Sequence, residues 1–223
     1  MWAVIGEILP MAVGIAISPI PIIATILLLL SPRAGRTSTA FLLGWILGIT
    51  ISVVVFTLLG AVIPVADPSA SQPIAGTIRI VLGVVLLLLA VRQWRSRPKG
   101  DEPATLPAWL SAIDSLTVGR AIVLAFLFVA INPKNIVLAS GAGITIGAAE
   151  LTIAATVIAI VVFVIISAAS VAIPVIGYFV ARDAMSGPLD SLREWLVRNN
   201  ATIMAVLLLV IGVVLIGEGL QSF

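Results

Sequence analysis

"AINPKNIVLA", Ala130–Ala139, interrupts a run of apolar residues that extends on both sides of it. Asn132, Pro133, Lys134 and Asn135 stand side by side there. Proline in a helix interior removes a hydrogen bond and clashes with the preceding turn. A lysine within a hydrocarbon-spanning segment is costly. An asparagine followed by proline is, however, good grammar for a helix start. The polar side chain caps free N–H groups, and proline suits the first helical position because it has no N–H to satisfy. The stretch therefore predicts a joint between two half-helices. The same grammar occurs earlier in "AISPIPIIATILLLL", Ala16–Leu30, where Ser18 precedes Pro19 and Pro21 extends the break.

The surrounding composition is that of a membrane protein. Of 223 residues, 61% are hydrophobic and 10% charged, and the mean hydropathy is +1.27. Soluble domains are about a quarter charged. The chain has no cysteine and no histidine, which removes thiol chemistry, disulfides and the usual soft or imidazole metal ligands. No cofactor is expected. The sequence pI near 9.7 reflects arginines beside apolar spans. It reads as a topology signal and does not suggest a nucleic-acid partner. "MWAVIGEILP" lacks a basic n-region, and Glu7 and Pro10 interrupt its apolar run, so it reads as a first span and not as a cleavable signal.

Six segments reach the length of about 20 apolar residues that a bilayer core requires. They run from Trp2 to Leu30, Thr39 to Ile63, Ile74 to Trp94, Ala121 to Ile146, Leu151 to Val180 and Ala201 to Gly219. The loops after the odd-numbered spans hold Arg33 and Arg36, then Arg92, Arg95, Arg97, Lys99 and Arg120, then Arg182, Arg193 and Arg198. The opposite side holds Asp67 and Glu150, with Arg79 close by. The positive-inside rule then predicts a multi-pass protein of the cytoplasmic membrane with both termini outside. Two basic-side segments read as amphipathic helices, either in the membrane plane or packed on the bundle. One is "LPAWLSAIDSL", with Leu106, Trp109, Leu110, Ile113 and Leu116 on one face. The other is "PLDSLREWLV", with Leu189, Leu192, Trp195 and Leu196 on one face.

The halves resemble each other. Ser18-Pro19 matches Asn132-Pro133, Pro64 matches Pro174, and "LGVVLLLLA" at Leu82–Ala90 matches "IGVVLIGEG" at Ile211–Gly219. A repeat of three spans must insert inverted relative to its copy. The expected fold is an all-α membrane protein of six spans in two inverted three-helix repeats. Residues 1–94 form the first repeat, 95–120 a basic linker and 121–223 the second repeat. Inverted repeats with breaks at matching positions point to a secondary transporter, and the breaks point to its site.

The expected substrate-binding residues are therefore Ser18, Pro19, Pro21, Asn132, Pro133, Lys134 and Asn135. Inverted topology would bring two helix N-termini together, each anion-seeking. Such joints must face protein or a wet cavity. Lys134 admits three roles: binding an anionic group, cycling a proton, or capping carbonyls exposed at the break. Glu7, Arg79 and Glu218 form a candidate outer gate, or an interfacial ion pair that fixes packing. Gly44 and Gly48, and the run "ASGAGITIGAA" at Ala139–Ala149, permit close helix contact within the chain or in a homodimer.

Three stretches carry a family resemblance. "GEILPMAVGIAISPIPIIATILLLLSPRAGRTSTAFLLGWILGI" (6–49), "FVAINPKNIVLA" (128–139) and "LREWLVRNNATIMAVLLLVIGV" (192–213) resemble the GAP family, the peptidoglycolipid-addressing proteins of actinobacteria. That family lies within the lysine-exporter (LysE-type) superfamily. The resemblance implies six spans in two inverted repeats, and export of an envelope glycolipid such as a glycopeptidolipid or sulfolipid. The Asn-Pro-Lys element is shared widely with amino-acid exporters of that superfamily. The thiol-redox relatives need a cysteine pair, and the metal exporters use acidic or histidine clusters; both are missing here.

The leading expectation is thus a secondary exporter of an anionic or zwitterionic envelope component, with the bilayer, its lipid or small-molecule substrate, a second copy of the chain and the envelope-lipid synthesis or export machinery as candidate partners. The alternatives are an amino-acid exporter, or a scaffold of an envelope-lipid assembly that moves nothing itself. An enzyme is not expected, because no nucleophile–base pair or strand-linked phosphate loop is present. With no ATP-binding segment, energy would come from a gradient or a partner.

Overall fold

The computed structural model describes residues 1–62, 73–98, 113 and 116–221, with the side chains of residues 73–75, 78, 182, 183 and 186 left aside. Eight helices and no strand occur among them. In order they are α1 (Trp2–Ala16), α2 (Pro19–Leu30), α3 (Ala34–Val62), α4 (Pro73–Arg95), α5 (Val118–Ala130), α6 (Pro133–Ala148), α7 (Ile153–Val180) and α8 (Arg182–Leu220). Three helical segments are individually long and apolar enough to cross a membrane: Ala34–Val62, Ile153–Val180 and Gly187–Leu220. Counting each bent pair as one span raises the number to five: α1 with α2, bent by 54°, and α5 with α6, bent by 70°.

Proline sets the bends. α2 starts on Pro19 and α6 on Pro133, each at a position where a missing N–H costs nothing. Other starts are earlier than the hydropathy predicts. Thr37 donates its backbone N–H to the Arg33 carbonyl, so α3 begins at Ala34 and takes Arg36 into its first turn. The Thr117 hydroxyl accepts the Arg120 N–H at 3.4 Å, which puts Arg120 inside α5. α6 ends at Ala148, and Glu150 follows with a φ of 46°, an unusual conformation for a residue with a Cβ. Thr152 then caps α7 by accepting the Ala155 N–H.

Packing divides the chain into two compact units, each with segments from both sequence halves. The first comprises Met1–Ile63 and Leu106–Glu194. Its spine is α3, which packs against α5 and α6. A Cβ on Gly44 would run into the Ile122 backbone, and one on Gly147 into the Thr57 carbonyl. Gly48, Gly60 and Gly143 face Val129, Ile144 and Phe56 in the same way. Both small-residue stripes are therefore used within one chain, Gly44 and Gly48 against α5 and the Ala139–Ala149 run against the later turns of α3, where they let backbones approach closely. Phe41 and Trp45 are fully buried on the same helix, and Phe41 meets the Phe128 ring edge-on at 6.0 Å.

The second unit comprises Pro64–Thr105 and Trp195–Phe223. Within it Gly83 lies against Gly212 and Ile216, Gly219 against Gly76 and Ile80, and Leu86 and Ala90 against Leu208. Contact positions rise along α4 as they fall along α8, so the matched segments Leu82–Ala90 and Ile211–Gly219 pack antiparallel.

One expected element differs. "PLDSLREWLV" is helical but is not a separate helix, because α8 runs unbroken from Arg182 to Leu220 through Pro188. Leu189 is buried and Leu192 is exposed, so only part of the expected apolar face is covered. Of the other amphipathic segment only Ile113 and Leu116 are described; Leu106, Trp109 and Leu110 lie outside the described residues, as do Pro64, Asp67 and Lys99.

Candidate functional site

The two proline joints meet in the first unit. α1 ends at Ala16, and Ile17 turns the chain so that Ser18 is extended, with φ −123° and ψ 99°. Ser18 holds the N-cap position of α2, yet its hydroxyl caps no helix N–H. It accepts instead from Lys134 Nζ at 2.9 Å. The same Nζ donates to the carbonyl oxygens of Gly14, at 2.5 Å, and Ile17, at 3.1 Å. Three acceptors match the three N–H bonds of an ammonium. Two are carbonyls at the C-terminal end of α1, where the last turn leaves oxygens without helical partners and the helix dipole favours a cation.

The second joint closes from within its own segment. Asn132 is extended, with φ −78° and ψ 115°, and its side-chain oxygen accepts the Lys134 backbone N–H at 3.0 Å. Asn135 Nδ2 donates to the Phe128 carbonyl at 3.1 Å, near the C-terminal end of α5. Each residue of Asn-Pro-Lys-Asn thus has a separate task. Asn132 caps α6 and Pro133 starts it. Lys134 seals the end of α1, and Asn135 seals the end of α5.

The junction is closed. Lys134 and Asn135 are 0% exposed and Ser18 is 2% exposed, and Pro19 and Pro21 are also buried. Asn132 is half-buried and Pro133 exposed. Pro133, with neither a side-chain polar group nor an N–H, is suited to the outward position. One acceptor remains over: Asn135 Oδ1 is buried with no hydrogen-bond partner, as are Trp45 Nε1 and Ser167 Oγ in the same unit. The α1 carbonyls that receive Lys134 are not named by the sequence reading. Their signal is the general one, that a helix broken inside a membrane must have its last carbonyls satisfied.

The gate candidates are distributed differently. Glu7 is exposed on α1 in the first unit and forms no ion pair among the described residues. Arg79 and Glu218 belong to the second unit, on α4 and α8, and each has an interaction partner. No group of three acidic residues able to hold a metal occurs among the described residues.

A cavity of about 1060 Å³ opens at another end of the first unit, between the start of α3, the start of α5 and the end of α7. Arg33 and Arg36, which in the sequence stand out only as topology markers, line it. The wall residues Tyr178 and Phe179 are absent from the expected site, although two adjacent aromatic residues at the end of an apolar helix are a signal of an interfacial position.

A family model described as SfLAP, "Sap, sulfolipid-1-addressing protein", matches residues 8–221. Neither a curated protein nor a solved structure matches the chain.

Proposed function

Because the chain belongs to the sulfolipid-1-addressing protein family, we propose that it exports a sulfolipid, or a closely similar anionic envelope glycolipid, across the cytoplasmic membrane. The mechanism is that of a secondary transporter of the lysine-exporter type, with six spans and both termini outside. α1–α2 and α5–α6 supply the two broken spans, and α3, α7 and α8 three more. α4 supplies the sixth, since Ile74–Val91 is apolar apart from Thr77 and Arg79. The antiparallel packing of α4 on α8 supports an inverted relation between the halves.

The observation that carries the mechanistic part is the closed junction. Four half-helices converge on it, and Lys134 from the second half grips the end of α1 in the first. Such a contact is suited to hold two broken spans together in one conformation and to release them in another. Lys134 acts there as a clasp. The cargo is recognised elsewhere, because the three hydrogen bonds already made leave this ammonium no donor for a ligand.

Export is tested by comparing cells with and without the protein. Sulfated glycolipid is measured in a mild surface extract and in the whole cell. The expected result is a fall in the surface fraction with the total maintained. A fall in the total with an unchanged surface fraction would identify an assembly scaffold, and no change in either would contradict the proposal. Orientation is tested with single cysteines at positions 69 and 96 and an impermeant reagent in intact cells. Position 69 should label and position 96 should not; the reverse would contradict the assignment.

A further inference from the structure

We infer that the cavity beside Arg33 and Arg36 is the binding site for the anionic headgroup of a sulfate- or phosphate-ester lipid. The cavity, of about 1060 Å³, is large enough for a polar head with the first part of its chains, since ligand pockets commonly hold about 300–1,000 Å³. Its two faces differ in chemistry. Arg33 and Arg36 stand at the start of α3, both exposed, with no carboxylate in salt-bridge range among the described residues. A guanidinium matches a sulfate or phosphate oxygen pair better than any other side chain. The apolar part of the lining is Leu116, Val118 and Phe179, exposed or half-buried. Phe179 leans toward Gly35, where a Cβ would come within 3.6 Å of its ring. Tyr178 completes the wall with an aromatic body and a polar tip, a combination suited to the level of lipid headgroups.

Arginines with no carboxylate partner among the described residues, lining one cavity with apolar side chains, suit one ligand class, an amphiphile with a negatively charged head. A free inorganic anion would use the arginines and leave the apolar wall in water. The starts of α3 and α5 add their dipoles in the same sense, but the site stands on the two arginines and the wall. The positive-inside bias puts this cavity on the cytoplasmic side, where an exported lipid would enter. That identification of the ligand as cargo rests on the export reading; the binding site itself does not.

The test uses the full-length protein in nanodiscs of neutral phosphatidylcholine. Retention of a sulfated galactosylceramide, its unsulfated parent and a phosphatidic acid is compared by native mass spectrometry, with inorganic sulfate as competitor. Wild-type protein should retain the sulfated and phosphorylated lipids about tenfold more than the neutral one. R33Q/R36Q should lose that preference while keeping the wild-type unfolding temperature, and R33K/R36K should recover part of it. Phe179→Ser should weaken lipid retention without changing the sulfate response. Equal retention of the neutral lipid, or full retention by R33Q/R36Q, would overturn the site. So would inorganic sulfate displacing the lipid at equal concentration, because the apolar wall would then contribute nothing. If the arginine variant loses retention but removal of the protein leaves the surface sulfolipid unchanged, the export reading fails and the site stands.

Discussion

At the α1–α2 break the loose carbonyls of Gly14 and Ile17 accept from Lys134, which is 120 and 117 residues away in sequence. At the α5–α6 break the Phe128 carbonyl accepts from Asn135, seven residues on. Both breaks begin with a polar residue and a proline, and both face the same physical demand, since unsatisfied backbone groups within a membrane cost several kcal/mol each. One is closed locally and survives on its own segment. The other is open until the second half of the chain is in place. Similar sequence grammar thus produces one self-sufficient joint and one dependent joint, and the dependence couples the halves through a single side chain. Ser18 shows the same division. It stands where Asn132 stands in the other joint, but its hydroxyl receives Lys134 and caps no helix N–H.

The largest effect should come from Lys134→Met, which keeps most of the side-chain length and strands three acceptors at the dependent joint, those of Gly14 and Ser18 in buried positions. A loss of about 3 kcal/mol is expected, read as a lower unfolding midpoint in mixed micelles. An unchanged midpoint would remove the asymmetry between the joints. Ser18→Ala should come next, at about 1–2 kcal/mol, because the buried lysine keeps two of its three acceptors. Asn135→Leu should cost about 1 kcal/mol. It strands the Phe128 carbonyl but also removes an oxygen that is buried without a partner. If its cost exceeds that of Ser18→Ala, the local joint is the more dependent of the two. Asn132→Ala, which removes one cap at a half-buried site, should be smallest, at about 0.5–1 kcal/mol. A cost above that of Lys134→Met would show that capping of α6, and not the clasp, holds the junction.

Much of the junction was legible in the sequence because its grammar is local. Ser18-Pro19 and Asn132-Pro133 predict half-helix starts from the properties of the two residues alone, and α2 and α6 begin at those prolines. The three roles left open for Lys134 could not be separated in the same way. The carbonyls it meets belong to Gly14 and Ile17, and no side-chain pattern marks a backbone acceptor. The small-residue stripes were legible as close-contact surfaces, but whether each would find its partner helix inside one chain or in a second copy depends on long-range packing. The fusion of "PLDSLREWLV" with the last span into one α8 has no such local signal, because Arg198, Asn199 and Asn200 separate the two apolar patterns. Loop arginines have an evident topological use, which hid the cavity that Arg33 and Arg36 share with the end of α7.

The clasp is tested most directly by a double-mutant cycle between Ser18→Ala and Lys134→Met, read by equilibrium unfolding in mixed micelles. If Lys134 closes the α1–α2 break from the other half of the chain, the double variant should be more stable than the sum of the single losses predicts, by about 1 kcal/mol or more. Strict additivity would mean that the two side chains do not depend on each other, and would contradict the account.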